Sequence, residues 1–499
     1  MEHFLFFISS LSLLSLIYLL SKIIKNESRS NPPGPLGLPF IGNLHQIDQS
    51  SFHTSLWQLS KTYGPIISLR FGFVPTIVVS SATLAKEVLK TQDAIFCSRP
   101  PLIGNQKFSY DGLDVAFSPY NEKWREMRKI FTTHLVSPYM IQSSRYIRED
   151  EVSRAMDKIK TLALSSKNVN LSKIAKSVTS TIMMRVSFGK RYQDEEERKK
   201  VLQLLNKLQE TIMNLYVSDI WPGLPFVSLV DRFMGKMNML EECFQGFDMF
   251  YQQLIDEHLN PPNIKSHKEK EDIIDILLRV MKDKLFSLTH KHIKAMLMNV
   301  LVAGIDISAA IVIWSMTLLM KNPKVMKKAQ EEVRIAIGNK GKVDEDDLSS
   351  LTYMKAVIKE TMRLYPPSPL LLRETLKDTT LHGYKIKEKT VVHLNAFAIG
   401  RDLEVWANPN DFLPERFLGS DIDFKGNDFE LIPFGAGRRI CPGVLMGVVM
   451  VELLLANLLY LYDWGLSNDI RKEDIDLDAL PGITMLKRNE LCLLARVYF

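Results

Sequence analysis

Cysteine is scarce: Cys97, Cys243, Cys441 and Cys492 are the only four in 499 residues, and no two form a C-x-x-C pair. That scatter argues against a zinc site and against a disulfide framework, and so for a reducing compartment. There is no G-x-G-x-x-G after a strand and no P-loop, so the chain shows no nucleotide site of its own. Blocks of like charge are also missing. The 63 basic and 57 acidic residues leave a mild net charge of +6, which excludes a nucleic-acid partner and suits an acidic protein or a membrane surface equally. No repeat and no long low-complexity tract interrupts a composition ordinary for a globular protein, 46% hydrophobic and 24% charged. Length alone allows two or three domains or one unusually large one.

What is present begins at the N-terminus. Phe4 to Leu20 carries no charge and is followed by Lys22, Lys25 and Arg29. With Ile23 and Ile24 the run reaches the lower limit of a membrane span. A cleavable signal would want basic residues before the apolar run and a small-residue cleavage site after it; Met1-Glu2-His3 is not basic. The expectation is an uncleaved single-pass anchor over residues 1–24, with the bulk of the chain on the cytosolic face. The sequons at Asn26 and Asn170 should then stay unglycosylated. Residues 25–43 follow as a basic and proline-rich hinge, in which prolines at 32, 33, 35 and 39 forbid a helix and stiffen an extended spacer.

Residues 44–499 read as one mixed, mainly α domain with small β-sheets (α+β). Helical patterns cover Met281 to Lys321 and Asn322 to Gly338. Strand-like pieces lie at Pro65 to Ser80, Thr380 to Ala396 and Glu490 to Phe499, and His258 to Asp272 is the best candidate for a long exposed loop. The stretch Ala295 to Met320 is long enough to span a bilayer and carries one charge, Asp306. An ionisable residue there is costly in lipid. A helix through the centre of a large domain, with Asp306 and Ser308 beside an internal pocket, fits better.

Cys441 sits in "PFGAGRRICPGVLMG", behind two arginines and ahead of Pro442 and an apolar helix. A structural thiol packs anywhere in a core and needs no such setting. A reactive or ligating thiolate is favoured by nearby arginine and by a helix N-terminus, with Pro442 at its first position. On this stretch alone both readings stand. Elsewhere Glu360 and Arg363 lie at i, i+3 on one helix face, Arg416 in "PERF" can complete a buried cluster with them, and Trp124 and Arg128 lie four apart. With Arg439 and Arg373 the chain offers several guanidiniums able to grip carboxylates.

Phe434, Gly437, Arg439, Cys441 and Gly443 match every fixed position of F-x-x-G-x-R-x-C-x-G. With E-x-x-R, P-E-R-F, W-x-x-x-R, A-G-x-D at Ala303 to Asp306 and the P-P-G-P hinge in order, the chain from about Pro32 onward resembles the cytochrome P-450 monooxygenases. "YGPI" and "DFKGNDFELIPF" resemble their large plant microsomal group of specialised metabolism. The resemblance implies the P-450 fold as one large domain. It implies haem b (iron protoporphyrin IX) with Cys441 as thiolate ligand of the iron and Phe434 packed beside the sulfur, and Gly437 and Gly443 letting the backbone approach the porphyrin. Trp124, Arg128, Arg373 and Arg439 would hold the propionates, while Glu360, Arg363 and Arg416 would lock the fold beneath. Electrons would come from NADPH only through the NADPH-cytochrome P-450 reductase of the endoplasmic reticulum membrane. Lys123, Arg125 and Lys129 are plausible contacts for that acidic partner, although a solvated surface accounts for them slightly better.

The pocket, by the same resemblance, is lined from Pro100 to Phe117, Leu205 to Pro225, Val302 to Ser308, Pro366 to Leu372 and Gly482 to Thr484. This suits a small lipophilic metabolite such as a terpenoid, alkaloid, phenylpropanoid or oxime. Two departures stand out. Nine residues separate Arg363 from Arg373 where relatives usually have ten, so Arg373 should reach its propionate imperfectly. The central helix reads "AGIDIS", with Ile307 in place of the usual threonine. Isoleucine neither donates nor accepts a hydrogen bond. Ser308, one residue on, turns about 100° away unless Gly304 and a hydroxyl bonded back to a carbonyl distort the helix. Gly304, Asp306, Ile307 and Ser308 are therefore the candidate catalytic residues for oxygen-dependent turnover. The alternative is an atypical rearrangement, dehydration, coupling or isomerisation without net oxygen insertion.

Overall fold

Between Thr289 and Pro323 no residue breaks a helix, and the longest apolar stretch of the chain becomes the axis of the fold. The structure is a computed structural model that describes residues 31–191, 195–260, 271–284, 286–466 and 471–498. The expected anchor, Asn26, and residues 261–270 of the expected loop lie outside the described residues. The helices that build the site are α1 (Phe52–Tyr63), α2 (Glu122–Ile130), α3 (Arg145–Leu164), α4 (Leu171–Phe188), α5 (Glu195–Met213), α6 (Lys236–Leu259), α7 (His290–Lys321), α8 (Pro323–Ile337), α9 (Thr352–Leu364) and α10 (Val444–Leu461). The fold is mainly α with small sheets.

Helix α7 packs against α4, α10 and α9. Its residues are buried from Ile293 to Leu301 and from Ser308 to Met320. It stops at Asn322, whose amide bonds back to Leu318 O at 3.0 Å, because Pro323 disfavours a helical residue before it and itself opens α8. Trp314, fully buried, donates Nε1–H to Met485 O at 2.8 Å and stacks on Tyr365 at 4.0 Å. By length and composition both α7 and α10 could cross a membrane, but both are mostly buried among other elements. The interior-helix reading of Ala295 to Met320 holds. The expected single helix from Met281 is shorter at its start: a separate helix ends at Lys282 and α7 begins at His290.

Strands β1 (Ile66–Phe71), β2 (Val74–Val79), β3 (Val169–Asn170), β4 (Leu370–Glu374), β5 (Thr379–Leu381), β6 (Tyr384–Ile386), β7 (Val391–Asn395), β8 (Tyr462–Gly465) and β9 (Cys492–Val497) form three sheets, ordered β1-β2-β7-β4, β3-β9-β8 and β5-β6. The three expected strand regions are all present. Strands β3, β4 and β8 went unanticipated, since two to five residues are too few to show a period. In β4 the burial alternates, with Leu371 and Arg373 inward, and the strand pairs Arg373 with Val392.

The proline segment is extended as expected, yet it lies along β1 rather than standing clear. Ser68 N–H donates to Pro33 O at 2.8 Å, and Arg70 Nη2 donates to Leu38 O at 2.9 Å. A side chain at Gly42 would collide with Arg70 O, 1.9 Å from its Cβ, and φ there is +62°.

On α9, Glu360 and Arg363 form a bidentate pair at 2.7 and 2.8 Å, and neither side chain is exposed to solvent. Glu360 also accepts from Arg416 Nε at 3.0 Å and from the Leu413 amide at 2.8 Å. The remaining Arg363 donors reach the carbonyls of Pro409 and Asp411 at 2.7 and 3.0 Å, and that of Gly400. One carboxylate thus fixes the path of residues 400–416. Removing one partner of such a buried pair strands a charge and costs about 3–5 kcal/mol. Glu360→Ala should therefore lower the unfolding midpoint by far more than Glu331→Ala, which breaks an exposed pair with Lys327 worth about 0–1 kcal/mol. Denaturant titration of both variants checks the difference.

Candidate active site

A cavity of about 340 Å³ lies where α7 passes the segment entering α10. Each of the five stretches expected to line a pocket contributes, through Phe108 and Phe117, Leu208 and Ile212, Val302 and Ile307, Pro367 and Leu371, and Ile483. The break in burial along α7, at Val302 to Gly304 and Ile307, is where that helix faces the cavity.

Cys441 lies on the cavity wall. Its amide donates to Phe434 O at 2.9 Å, closing a loop that turns at Gly435 and Gly437, with φ of +69° and +67°. Phe434 is buried edge-on to Phe424 at 5.4 Å and also lines the cavity. At Gly437 an added Cβ would sit 2.3 Å from Leu89 O. That glycine makes room for the backbone at Leu89. Beside Gly443 the nearest atom to an added Cβ is Cys441 Sγ, at 3.9 Å.

Burial pushes the Cys441 thiol up; the Gly443 amide and the Arg128 charge oppose it. The two arginines preceding Cys441 do not take that part. Arg438 pairs with Asp93 at 2.8 Å, and Arg439 donates to the carbonyls of Cys97 and Ser118 at 2.8 and 2.7 Å. Arg128, from α2, approaches instead and donates to Ile440 O at 2.5 Å. Nor is Pro442 the first helical residue: α10 starts at Val444 after Gly443. The turn that aims the sulfur needs those two residues outside the helix.

Four guanidiniums border the cavity: Arg99, Arg128, Arg373 and Arg439. Arg99 was not singled out from the sequence, where it lies one residue before the expected lining stretch that starts at Pro100. It donates to Ala116 O at 3.0 Å and to Leu372 O. Burial, ahead of repulsion from the other arginines, lowers Arg439 to about 9 and carries Arg373 well down; burial lowers Arg99 to about 10. Arg373 Nε is buried with no hydrogen-bond partner. The shortened segment has not cost Arg373 its place on the cavity. Trp124, in contrast, does not reach the wall: Nε1–H donates to Val115 O at 2.9 Å and the ring carries the Arg439 guanidinium at 3.9 Å. Its N–H is spent on backbone, and its ring supports the neighbouring arginine.

This donor set suits an anionic, largely apolar disc. Buried cations with an orphaned N–H call for carboxylates. A thiol facing the same space offers a soft ligand for iron. The residues present fit a haem.

On α7, Gly304, Ile307 and Ser308 line the cavity, but Asp306 turns aside. Its Oδ2 accepts from Gln209 of α5, and its Oδ1 lies 3.3 Å from Lys176 Nζ of α4. Gly304 admits Met183, whose Cε would be 2.6 Å from an added Cβ. Ser308, buried, packs its hydroxyl toward Gly447, and α7 continues through it as unbroken α-helix. The distortion that would let Ser308 replace a threonine at 307 is absent from this helix. Lys176 and Gln209 were not anticipated as Asp306 partners, because neither lies near it in sequence.

A family profile described as Cytochrome P-450 matches residues 32–493. The chain is 47% identical to a 6,7,8-trihydroxycoumarin synthase of Pastinaca sativa, over 99% of both chains. It is 48% identical to a 5-OH-xanthotoxin synthase of the same species, over 94% of each, and 44% identical to a strychnine-11-hydroxylase of Strychnos nux-vomica, over 94% and 92%. Among solved structures, a zebra fish cytochrome P-450 with abiraterone superimposes with a TM-score of 0.74 at 22% identity, covering 90% of this chain and all of that one. A thiol-bearing loop, a cationic rim and an apolar vault, on a chain so closely matched from end to end, identify this protein as a cytochrome P-450 monooxygenase, akin to those of plant specialised metabolism.

Proposed function

We propose that this enzyme oxygenates a flat aromatic lactone or a related small lipophilic plant metabolite, with a haem bound between Cys441 and α7. The observation that carries the reading is the cavity itself, with one thiol on its wall and four guanidiniums at its edge, two of them buried. Cys441 would be the iron ligand, and Arg128, Arg373 and Arg439, joined by Arg99, would hold the propionates. Phe434 shields the sulfur side, and Glu360, Arg363 and Arg416 keep the loop's support rigid. The bound haem would supply oxygen activation. Asp306, held by Gln209 and the solvent-reaching Lys176, would border a polar path from the surface toward α7, and Ile307 gives the part of α7 that faces substrate an apolar surface.

The substrate class rests on two supports. The cavity's lining is mostly apolar, and the coumarin and furanocoumarin enzymes are among the relatives. A dissociable NADPH-dependent reductase supplies the electrons in this reading, since the chain has no nucleotide motif. Membrane attachment has support beyond the apolar N-terminus. Leu36 and Phe40 are 84% and 70% exposed, Phe226 and Phe233 are 74% and 95% exposed, and Trp221 Nε1–H donates to Phe40 O at 2.9 Å to join the two segments. Exposed apolar side chains of this size suit the boundary of a bilayer. The Asn170 side chain caps α4 through the Lys173 amide and donates to Glu490 at 2.6 Å, a structural use that a cytosolic, unglycosylated face suits.

Ile307 favours a second reading. With no hydroxyl at 307 and Ser308 turned to α10, the enzyme can run a rearrangement, dehydration, coupling or isomerisation without net oxygen insertion.

Two variants test these readings. Cys441→Ser should abolish the thiolate-type Soret band of the reduced CO complex, whereas Ser at 97, 243 or 492 should leave it in place. Ile307→Thr should raise the fraction of NADPH that ends in product rather than peroxide. A loss of product with normal haem content in Ile307→Thr would favour the atypical reaction.

A further inference from the structure

Most polar side chains on the cavity wall are already spoken for. Asn299 accepts from the Val115 and Ala116 amides at 2.9 and 3.2 Å and donates to Asp114 at 2.8 Å. The four guanidiniums belong to the cationic rim. Ser308 faces α10. Gln209 differs, because it belongs to two environments at once: it lines the cavity from α5, and its Nε2 donates to Asp306 Oδ2.

That single bond fixes which end of the amide is left. Asp306 has Lys176 Nζ 3.3 Å away as its counter-charge, and an ionised carboxylate only accepts. Gln209 must therefore turn its NH2 to Asp306. Its carbonyl Oε1 has no hydrogen-bond partner among the described residues, and it is not among the atoms sealed from solvent. An amide oxygen accepts and cannot donate. The amide atom left over on this wall residue is thus an acceptor, its other end held by buried Asp306 with the half-exposed Lys176 as counter-charge, beside Leu208, Ile212 and Ile307.

We infer that Gln209 is a specificity-determining residue that selects substrates carrying a hydrogen-bond donor, a phenolic hydroxyl above all, over their O-methyl ethers. This deepens the proposed oxygenation of small aromatic metabolites and rests on it. An ether would leave Oε1 buried against a methyl group, unpaired and desolvated, and such a site discriminates more sharply than an apolar contact can. The donor also orients the ring, since one end is pinned near Asp306 while the rest lies on apolar side chains. The ring position that faces the Cys441 side of the cavity is then set by where the hydroxyl sits.

The test is equilibrium binding to the haem-loaded full chain, read by difference spectroscopy and by equilibrium dialysis, so that turnover plays no part. The probes are matched pairs: 7-hydroxycoumarin with 7-methoxycoumarin, and 4-propylphenol with 4-propylanisole. Wild type should bind each phenol about ten-fold more tightly than its ether, equivalent to about 1.4 kcal/mol. Gln209→Met, of similar length and without the carbonyl, should weaken the phenols alone and bring each ratio below about two-fold. Leu208→Ala should weaken both members of a pair alike. An intact CO-complex spectrum in each variant shows that the site has folded. Equal binding of phenol and ether by wild type, or a ratio unchanged in Gln209→Met, overturns the role of Gln209 and leaves the enzyme reading standing. Failure of every probe to bind wild type overturns the aromatic-substrate reading and this inference with it.

Discussion

Arg99, Arg128, Arg373 and Arg439 are gathered at one cavity in surroundings that push the guanidiniums away from their charged forms. The carboxylates nearest to them do not resolve the imbalance. Asp93 is committed to Arg438, and Asp114 to the amides of Phe117 and Ser118 and to Asn299. A protein that buries cations in this way without pairing them stores a cost that an anionic ligand offsets. The rest of the architecture follows from holding that arrangement: β7 pins β4 so that Arg373 points inward, Trp124 lies flat against Arg439, and the Cys441 loop turns through two glycines to bring a thiol to the same space.

Below the cavity the same logic is applied with the charges balanced. Glu360 accepts from two arginines and a backbone amide, and those arginines in turn satisfy carbonyls between Gly400 and Asp411. The contrast separates the two clusters by purpose. A cluster whose donors all find partners within the chain is structural. A cluster with an orphaned Nε, as at Arg373, is built for something the chain does not itself contain.

Much of this was legible in the sequence, because spacing on a helix or within a tight loop converts directly to geometry. Glu360 and Arg363 had to share a face, Cys441 had to end a glycine-rich turn, and the charge-poor stretch around Asp306 had to be interior. What could not be read depends on long-range packing. Arg99 reaches the cavity only because the stretch around it lies against β4, and Gln209 meets Asp306 only because α5 lies over α7. That Arg128, and not the two arginines before Cys441, lends its charge to the thiol could not be read for the same reason: adjacency in sequence says nothing about which way a long side chain turns. The one-residue shortening before Arg373 proved harmless to its position because β4 pairs in a fixed register, and a slip of one residue would have turned Arg373 to the opposite face.

The chemistry of α7 is where sequence and structure leave the sharpest demand on the account. Ile307 and Ser308 line the cavity, Ser308 with its hydroxyl toward Gly447 of α10, and Asp306 is tied to Lys176 and Gln209, so no hydroxyl stands at the position of the usual threonine. Oxygen insertion is nevertheless the chemistry proposed for this enzyme. Turnover of its substrate with reductase and NADPH under ¹⁸O₂, with mass analysis of the product, tests that assignment most directly. One atom of label per product molecule is the predicted result; a product free of label would contradict it.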